Sequence, residues 1–354
     1  MKYTYVINGK FMADRMMGIV RYASELVRTL DKYLTNDEYV TLLLPPNAKD
    51  VPNYMNIHIE KYGIHSGMLW EQVDLARYMN RHKEAICLNL CNVAPFFSRP
   101  GITTIHDIMY KANPLHYTTL RNKLSRYWHI FQYWFTTHRE IVVLTVSDYS
   151  KGEIIRYYPA AKEKVKVIPN AWQHVLNYND SLDWQQRYPF LSPGSYFFSL
   201  ATLAKNKNGR WILEAAHKNP DLTFVIAGKH YETDNVIEIP QNVHILGFIS
   251  DEDACSLIKN CRAFLFPSIY EGFGLPPLEA LALGANVISS NATSLPEVLG
   301  NSVHYISPDN ANVNLDQILE EPVEDKQNTL CRFSWDMSAS MLLEVMQKYA
   351  IHSN

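Results

Sequence analysis

Short apolar runs alternate with amphipathic stretches along almost the whole chain. Residues 3–7, 40–44, 86–90, 102–105, 142–146 and 165–168 are apolar runs too short for buried helices, and they read as strands. Between the first two, Ile19, Tyr22, Ala23, Leu26, Val27 and Leu30 recur at helical spacing, and further helices are expected around residues 68–80 and over 151–158. From Trp172 to Gly194 the periodicity lapses and Tyr, Asn, Gln and Pro dominate, the composition of an interdomain linker. The alternation resumes with strands at 196–200, 223–227, 243–246, 263–266 and 287–290. Near the end, Ser334 is placed to cap a helix whose Trp335, Met341, Leu342, Val345, Met346 and Tyr349 share one side. Strands alternating with helices are the pattern of an α/β fold on parallel sheets. Two doubly wound domains are predicted, 1–171 and 195–333, joined by the linker 172–194 and followed by a terminal helix, 334–354.

At 354 residues and 47% hydrophobic composition, the chain is long enough for both domains to bury a core. Its formal net charge of -3 provides no basic field, which argues against a nucleic-acid partner. The opening MKYTYVINGKF has its brief apolar run broken by Asn8 and Gly9 and does not read as a secretory signal. No apolar stretch is long enough to cross a bilayer. Cys87, Cys91, Cys255, Cys261 and Cys331 are odd in number and lack a Cys-x-x-Cys pair, the usage expected of reduced, mostly buried thiols in a cytoplasmic protein rather than of a metal centre.

The chemistry converges on residues 262–300, RAFLFPSIYEGFGLPPLEALALGANVISSNATSLPEVLG. A strand ending at Pro267 leads into a loop from Ile269 to Leu275; Pro276 and Pro277 suit the first turn of a helix that Gly284 stops. Ligands of a parallel sheet gather beyond the carboxyl ends of its strands, where this loop would sit. Its free N–H groups and the positive end of the helix face the same way, and Gly272 and Gly274 let the backbone approach a ligand closely. Glu271 in the loop and Glu279 at the start of the helix add two strong acceptors beside those donors. Such a set suits a ligand with several hydroxyls, such as a sugar and a ribose.

Glu271-x7-Glu279 inside this string closely resembles the signature of the family-4 retaining glycosyltransferases of the GT-B fold, the group 1, mannosyltransferase-like enzymes. The resemblance runs from Gly18 to Trp335 and is weakest over residues 31–100. It implies two Rossmann-like domains facing a cleft, with the acceptor on the N-terminal side, the nucleotide sugar on the C-terminal side, and the terminal helix packing back towards the first domain. In that family the first Glu and the loop after it hold the donor sugar, here Glu271, Gly272, Phe273, Gly274 and Leu275, and the second, Glu279, holds the ribose. Gly18-Ile19-Val20-Arg21-Tyr22 is similar to the family's Gly-Ile-Gly-Arg-Tyr, with Val20 in place of the second glycine, and implies that Gly18 lies near the diphosphate. His106-Asp107, after the strand 102–105, matches a His-Asp whose His lies close to the reacting sugar. Residues 201–208 resemble Gly-Thr-Leu-x-x-Arg-Lys-Asn, so Lys207 inherits the role of diphosphate clamp, while Asn206 stands where Arg is usual and Lys205 is the nearest replacement cation. The loop after 243–246 implies contact with the base near Ile249, and Pro169-Asn170-Ala171 departs from the usual Pro-Asn-Gly.

The activity implied is retaining transfer of a hexose from a nucleotide diphosphate sugar to a saccharide or lipid-linked saccharide, in surface polysaccharide synthesis at the cytoplasmic face of a membrane. His106, Glu271 and Lys207 are the catalytic candidates. Leu69-Trp70-Glu71-Gln72 together with the Gly-Ile-x-Arg-Tyr start favours GDP-mannose as donor. A fixed cation and helix ends can stabilise a leaving diphosphate, so no metal and no cofactor beyond the co-substrate is expected. Same-face displacement and a covalent intermediate both stay open, as do acceptor, linkage and oligomeric state. The joint departures at Val20, Ala171 and Asn206 keep open a non-catalytic nucleotide-sugar-binding protein, and the shared halves keep open a GT-B-like epimerase or phosphorylase. Asp251-Glu252-Asp253, formally the Asp-x-Asp metal motif of another fold, reads instead as the acidic opening of a helix. Residues 120–140 form a basic, aromatic helix with two readings. A core helix with snorkelling basic residues is favoured because a strand follows and needs covering, and peripheral contact with an anionic membrane is the other.

Overall fold

The computed structural model describes residues 3–114, 119–178, 183–200, 205–228 and 238–350. The chain divides into two compact units, Met1–Asn170 with Ser334–Asn354, and Ala171–Phe333. Each is a doubly wound α/β unit on a parallel sheet.

In the first unit the strands are β1 (Tyr3–Asn8), β2 (Glu38–Leu44), β3 (Ile57–Lys61), β4 (Ala85–Asn89), β5 (Ile102–Thr104), β6 (Val142–Thr145) and β7 (Val165–Val167), in the order β3-β2-β1-β4-β5-β6-β7. Every residue of β4 and β6 is buried, which is why these strands appear in the sequence as unbroken apolar runs: a sheet covered on both faces has no solvent side to mark with polar residues. β3 escaped that signal because it is an edge strand, with Ile57 buried and His58 and Ile59 exposed. The strand order reverses between β1 and β4, so their carboxyl ends, Asn8 and Asn89, border the crevice where ligands of such sheets bind. Residues 67–81 are helical throughout, with a π-helical segment at Trp70–Leu75 that buries Trp70 completely; its Nε1 donates to the Tyr62 carbonyl at 2.7 Å.

Helix α1 (Gly18–Leu30) turns Tyr22, Leu26 and Leu30 inward, while Ile19 is exposed. Helix α2 (Leu120–Arg139) corrects the favoured reading of residues 120–140. Its buried side carries Gln132, Tyr133, Thr136 and Thr137, and Leu124, Tyr127, Phe131 and Trp134 face outward. Of the buried residues, Thr137 bonds locally, its Oγ1 donating to the Tyr133 carbonyl at 2.6 Å, whereas the side-chain polar atoms of Gln132 and Thr136 are buried with no hydrogen-bond partner among the described residues. Trp128 and Phe135 are half-buried against Phe96, at ring separations of 5.4 and 4.7 Å.

The second unit contains β8 (Tyr196–Ser199), β9 (Thr223–Ala227), β10 (Val243–Gly247), β11 (Ala263–Phe266), β12 (Val287–Ser290) and β13 (His304–Ile306), ordered β10-β9-β8-β11-β12-β13. Phe197, Trp211, Phe224, Leu265, Ile288 and Leu315 fill its core. Helix α3 (Asp251–Asn260) opens with the three acidic residues and is capped by Ser250, whose hydroxyl accepts from the Asp253 N–H at 3.1 Å. Helix α4 (Leu275–Ala282) starts after Gly274 and carries its prolines in the first turn.

Residues 172–194 differ from the expected linker, since they cluster with the second unit. Trp172 Nε1 donates to the Leu330 carbonyl at 3.0 Å, Gln173 Nε2 to the Phe333 carbonyl at 2.9 Å, and Tyr178 OH to Asp251 Oδ2 at 2.8 Å. Arg187 pairs with Asp253. The segment is held by these polar bonds and by scattered buried side chains, Val175, Trp184 and Leu191, rather than by a periodic apolar stripe, so its periodicity says nothing of its attachment. The last helix, α5 (Trp335–Ala350), belongs to the first unit, where it lies along α1. Ser338 Oγ donates to the Pro169 carbonyl at 2.8 Å and Gln347 Nε2 to Glu38 Oε1 at 2.7 Å.

Candidate active site

In the second unit the loop between β11 and α4 is fixed from several directions. Gly274 has φ +95, and a Cβ there would meet Leu295 Cδ2 at 2.4 Å, so only glycine fits. The Glu271 N–H donates to Thr293 Oγ1 at 3.1 Å, and Ser294 Oγ donates to the Glu271 carbonyl at 3.0 Å. Thr293 itself is left-handed, φ +55, a conformation a β-branched residue adopts only under constraint. Phe273 is buried, its ring 5.3 Å from that of Phe333. The backbone from Gly272 to Leu275 is thus a rigid, buried turn leading into the positive end of α4.

Glu271 projects from this turn to meet Lys207, whose Nζ lies 2.6 Å from Glu271 Oε1. The same oxygen is 2.6 Å from Ser268 Oγ, which is also 2.8 Å from the Asn206 carbonyl; one hydroxyl proton serves only one of these acceptors at a time. Lys207 Nζ stands 5.5 Å from the Phe266 ring centroid. Asn208 adopts a left-handed conformation, φ 56, and donates through Nδ2 to the Pro267 and Pro308 carbonyls at 3.0 and 2.8 Å, which fixes the lysine's backbone beside the end of β11. Eight residues after Glu271, Glu279 accepts from His174 Nε2 at 2.7 Å. His174 is fully enclosed, so this carboxylate is held in one orientation by a residue from the stretch expected to be linker.

Lys207, Glu271 and Glu279 therefore gather at the carboxyl edge of the second sheet with the Asn206 backbone. Ile249 follows β10 and is half-buried, next to an exposed Phe248. Residues 201–204 and the Lys205 side chain lie outside the described residues. His106 and Gly18 belong to the first unit. Gly18 opens α1 in the open, with nothing near the position a Cβ would take. His106 is buried, its ring edge-on to Tyr22 at 4.8 Å and its Nε2 2.9 Å from the Leu90 carbonyl. A carbonyl only accepts, so Nε2 carries the proton and Nδ1 is left as an acceptor. Burial lowers the His106 pKa to about 4, against the pull of that hydrogen bond, and the ring is neutral at pH 7.

Sequence reasoning passed over Ser268, Thr293, Ser294 and His174, though the first three lie inside the 262–300 string and are short hydroxyl residues next to strand ends. It also left Glu71 as part of a four-residue motif. Glu71 is buried at the crevice between β1 and β4: Asn8 Nδ2 donates to its Oε1 at 2.9 Å and to Asn89 Oδ1 at 3.2 Å, and Lys10 Nζ is 4.0 Å from Oε2. Burial pushes its carboxyl up to about 7, with Lys10 and the Asn8 bond opposing. With Gln72, Asp74 and Arg77 in the same helical stretch, this carboxylate has no mark of its own in the sequence.

The family model described as "Glycosyl transferases group 1" matches residues 181–330. O-antigen chain mannosyltransferase B of Escherichia coli is 29% identical over 264 residues, covering 67% of this chain and 67% of that one. Serotype-specific mannosyltransferase WbdA, also of Escherichia coli, is 27% identical over 233 residues, and the match covers 58% of this chain but only 28% of WbdA. Among solved structures, sucrose-phosphate synthase (tll1590) from Thermosynechococcus elongatus superposes with a TM-score of 0.72 at 14% identity over 99% of both chains. Anabaena Alr3699/HepE in complex with UDP does so at 0.64 and 17% identity, over 98% of this chain and all of that one (100%). The fold is that of the GT-B glycosyltransferases, and the second unit's glycine turn and two partnered glutamates lie within residues 181–330, the stretch that matches the group 1 glycosyl transferase model.

Proposed function

We propose that this glycosyltransferase moves a hexose, with mannose on GDP the favoured donor, to a saccharide or lipid-linked saccharide during surface polysaccharide synthesis. The transfer retains anomeric configuration and needs no metal, and takes place in the cytoplasm at the inner face of a membrane. The observation that carries the reading is the 2.6 Å contact of Lys207 Nζ with Glu271 Oε1 beside the left-handed turn at Gly274. It puts a cation, a carboxylate and a helix amino end at one place. A nucleotide sugar needs all three.

In the reaction the bond from the anomeric carbon to the β-phosphate oxygen breaks, and its electron pair stays on the diphosphate. The acceptor oxygen forms the new bond, and its proton is taken up by the departing diphosphate. Negative charge grows on the leaving oxygens, where Lys207 and the Leu275 N–H at the start of α4 would meet it; positive charge grows on the sugar, opposite Glu271. An arriving diphosphate replaces Glu271 as the partner of Lys207 and frees that carboxylate for sugar hydroxyls. Glu279, oriented by His174, accepts from the ribose. His106 offers Nδ1 as a neutral acceptor for a sugar hydroxyl.

The donor class is tested by thermal shift with GDP, UDP, dTDP and ADP sugars, with and without magnesium, followed by NMR of the transfer product. One nucleotide is expected to raise the midpoint equally in both conditions and to yield a product of the donor's anomeric configuration. An inverted product would sink retention. An altered free nucleotide sugar with no acceptor present would mark an epimerase, and binding without turnover a non-catalytic binder.

A further inference from the structure

We infer that the outward face of α2 is a docking surface for an anionic lipid bilayer. Leu120, Leu124, Tyr127, Phe131 and Trp134 fall at alternating spacings of four and three, one stripe along the helix, and are 74, 63, 63, 46 and 49% exposed. Phe97 extends the stripe from the adjoining loop, 77% exposed, next to Phe96, whose ring packs on Phe131 at 5.2 Å. The opposite side buries Gln132, Thr136 and Thr137 completely. Tyr133 is buried with them, but a stripe of five large apolar side chains left in water runs against the polarity by which a helix on a water-facing domain is stabilised, so the stripe has an apolar partner.

Charge decides which partner. The sequence of α2 contains Arg121, Lys123, Arg126 and Arg139 and no acidic residue, in a chain whose net charge is -3. Lys123 is exposed beside Leu124, and exposed Arg99 lies two residues beyond Phe97. A second copy of the chain docked through this face would bring basic helix to basic helix, whereas anionic headgroups complement it. The 20 residues of α2 make a rod about 30 Å long, and no helix among the described residues is long and apolar enough to cross a membrane, so α2 would lie flat in the headgroup region. Tyr and Trp at the middle and end of the stripe are the side chains that favour that interface.

The inference deepens the proposed function by naming the surface that meets the membrane where a lipid-linked acceptor would reside. Its test uses neither nucleotide sugar nor acceptor, so its failure is distinguishable from failure of the transfer reading. The full chain is floated with phosphatidylcholine vesicles, alone or with about a third phosphatidylglycerol, at low and high salt. The wild type is expected to float with the anionic vesicles, less at high salt and little with the neutral ones. Leu124→Glu with Trp134→Glu should weaken this by about tenfold or more, and Lys123→Glu alone by about fivefold, with thermal midpoints unchanged because all three side chains are exposed. A wild type that floats with neither vesicle, or a double variant that floats like wild type, would overturn the assignment. So would a wild-type dimer by light scattering that the double variant converts to monomer, since the second copy would then be the partner.

Discussion

The two units each place a strand-loop-helix junction at the ligand edge of a parallel sheet, and they build it in opposite ways. In the second unit, from β11 to α4, the backbone is strained and the charges are paired: Gly274 and Thr293 are left-handed, Lys207 meets Glu271, and His174 meets Glu279. In the first, from β1 to α1, Gly18 is unstrained and open, and the carboxylate nearby is buried against amides, with its cation 4.0 Å away. Paired charges on a rigid turn can exchange partners with an incoming anion at little reorganisation. A buried carboxylate held by Asn8 fixes the strand end instead. On the proposed reading, anion handling falls to the second junction and shape to the first.

Substituting the two glycines probes the difference in backbone. Gly274→Ala should lower stability by about 2–4 kcal/mol, from the left-handed φ and the clash with Leu295, as read by thermal or urea unfolding. A loss below half a kcal/mol would remove the strained turn from the account. At the buried carboxylate the effect depends on pH. The folded pKa of Glu71, about 7, lies above the unfolded 4.5, so its contribution is fully present below about 4.5 and is lost as pH rises through 7. Glu71→Gln should therefore match wild type near pH 4 and exceed it at pH 8 by about 2–3 kcal/mol. His106 acts in the opposite sense, losing stability as pH falls from 6.5 towards 4, and the wild-type-minus-variant difference cancels it. A difference independent of pH would contradict the burial of Glu71. Next in size, Glu279→Gln keeps the bond from His174 but halves the pairing strength, and should weaken nucleotide binding about tenfold by calorimetry. Smallest of all, Gly18→Ala should change stability by less than about 0.5 kcal/mol, since nothing lies near the new methyl group.

What was legible in the sequence follows from how local each construction is. The second junction lies within 262–300, where strand, glycines, prolines and both glutamates are successive residues, so its chemistry could be read directly. Its orienting partner His174 is 105 positions from Glu279 and had no mark of its own. The first junction joins Asn8 to residues 63 and 81 positions away, contacts that only strand order creates. β3 was missed because an exposed edge strand lacks an apolar run, and residues 172–194 were misread because side-chain bonds rather than periodicity attach them. For α2 the sequence identified a basic, aromatic helix but not which of its sides faces the core. Gln132, Thr136 and Thr137 carry no charge and can be buried, so neither side of the helix was excluded from the core.

Whether Lys207 clamps the donor's diphosphate is decided by calorimetric titration of wild type and Lys207→Ala with GDP, then UDP, dTDP and ADP. One nucleoside diphosphate is expected to bind wild type, and the substitution to weaken it by about 10²-fold, with the circular dichroism of the fold unchanged. Equal affinity in the two proteins would contradict it.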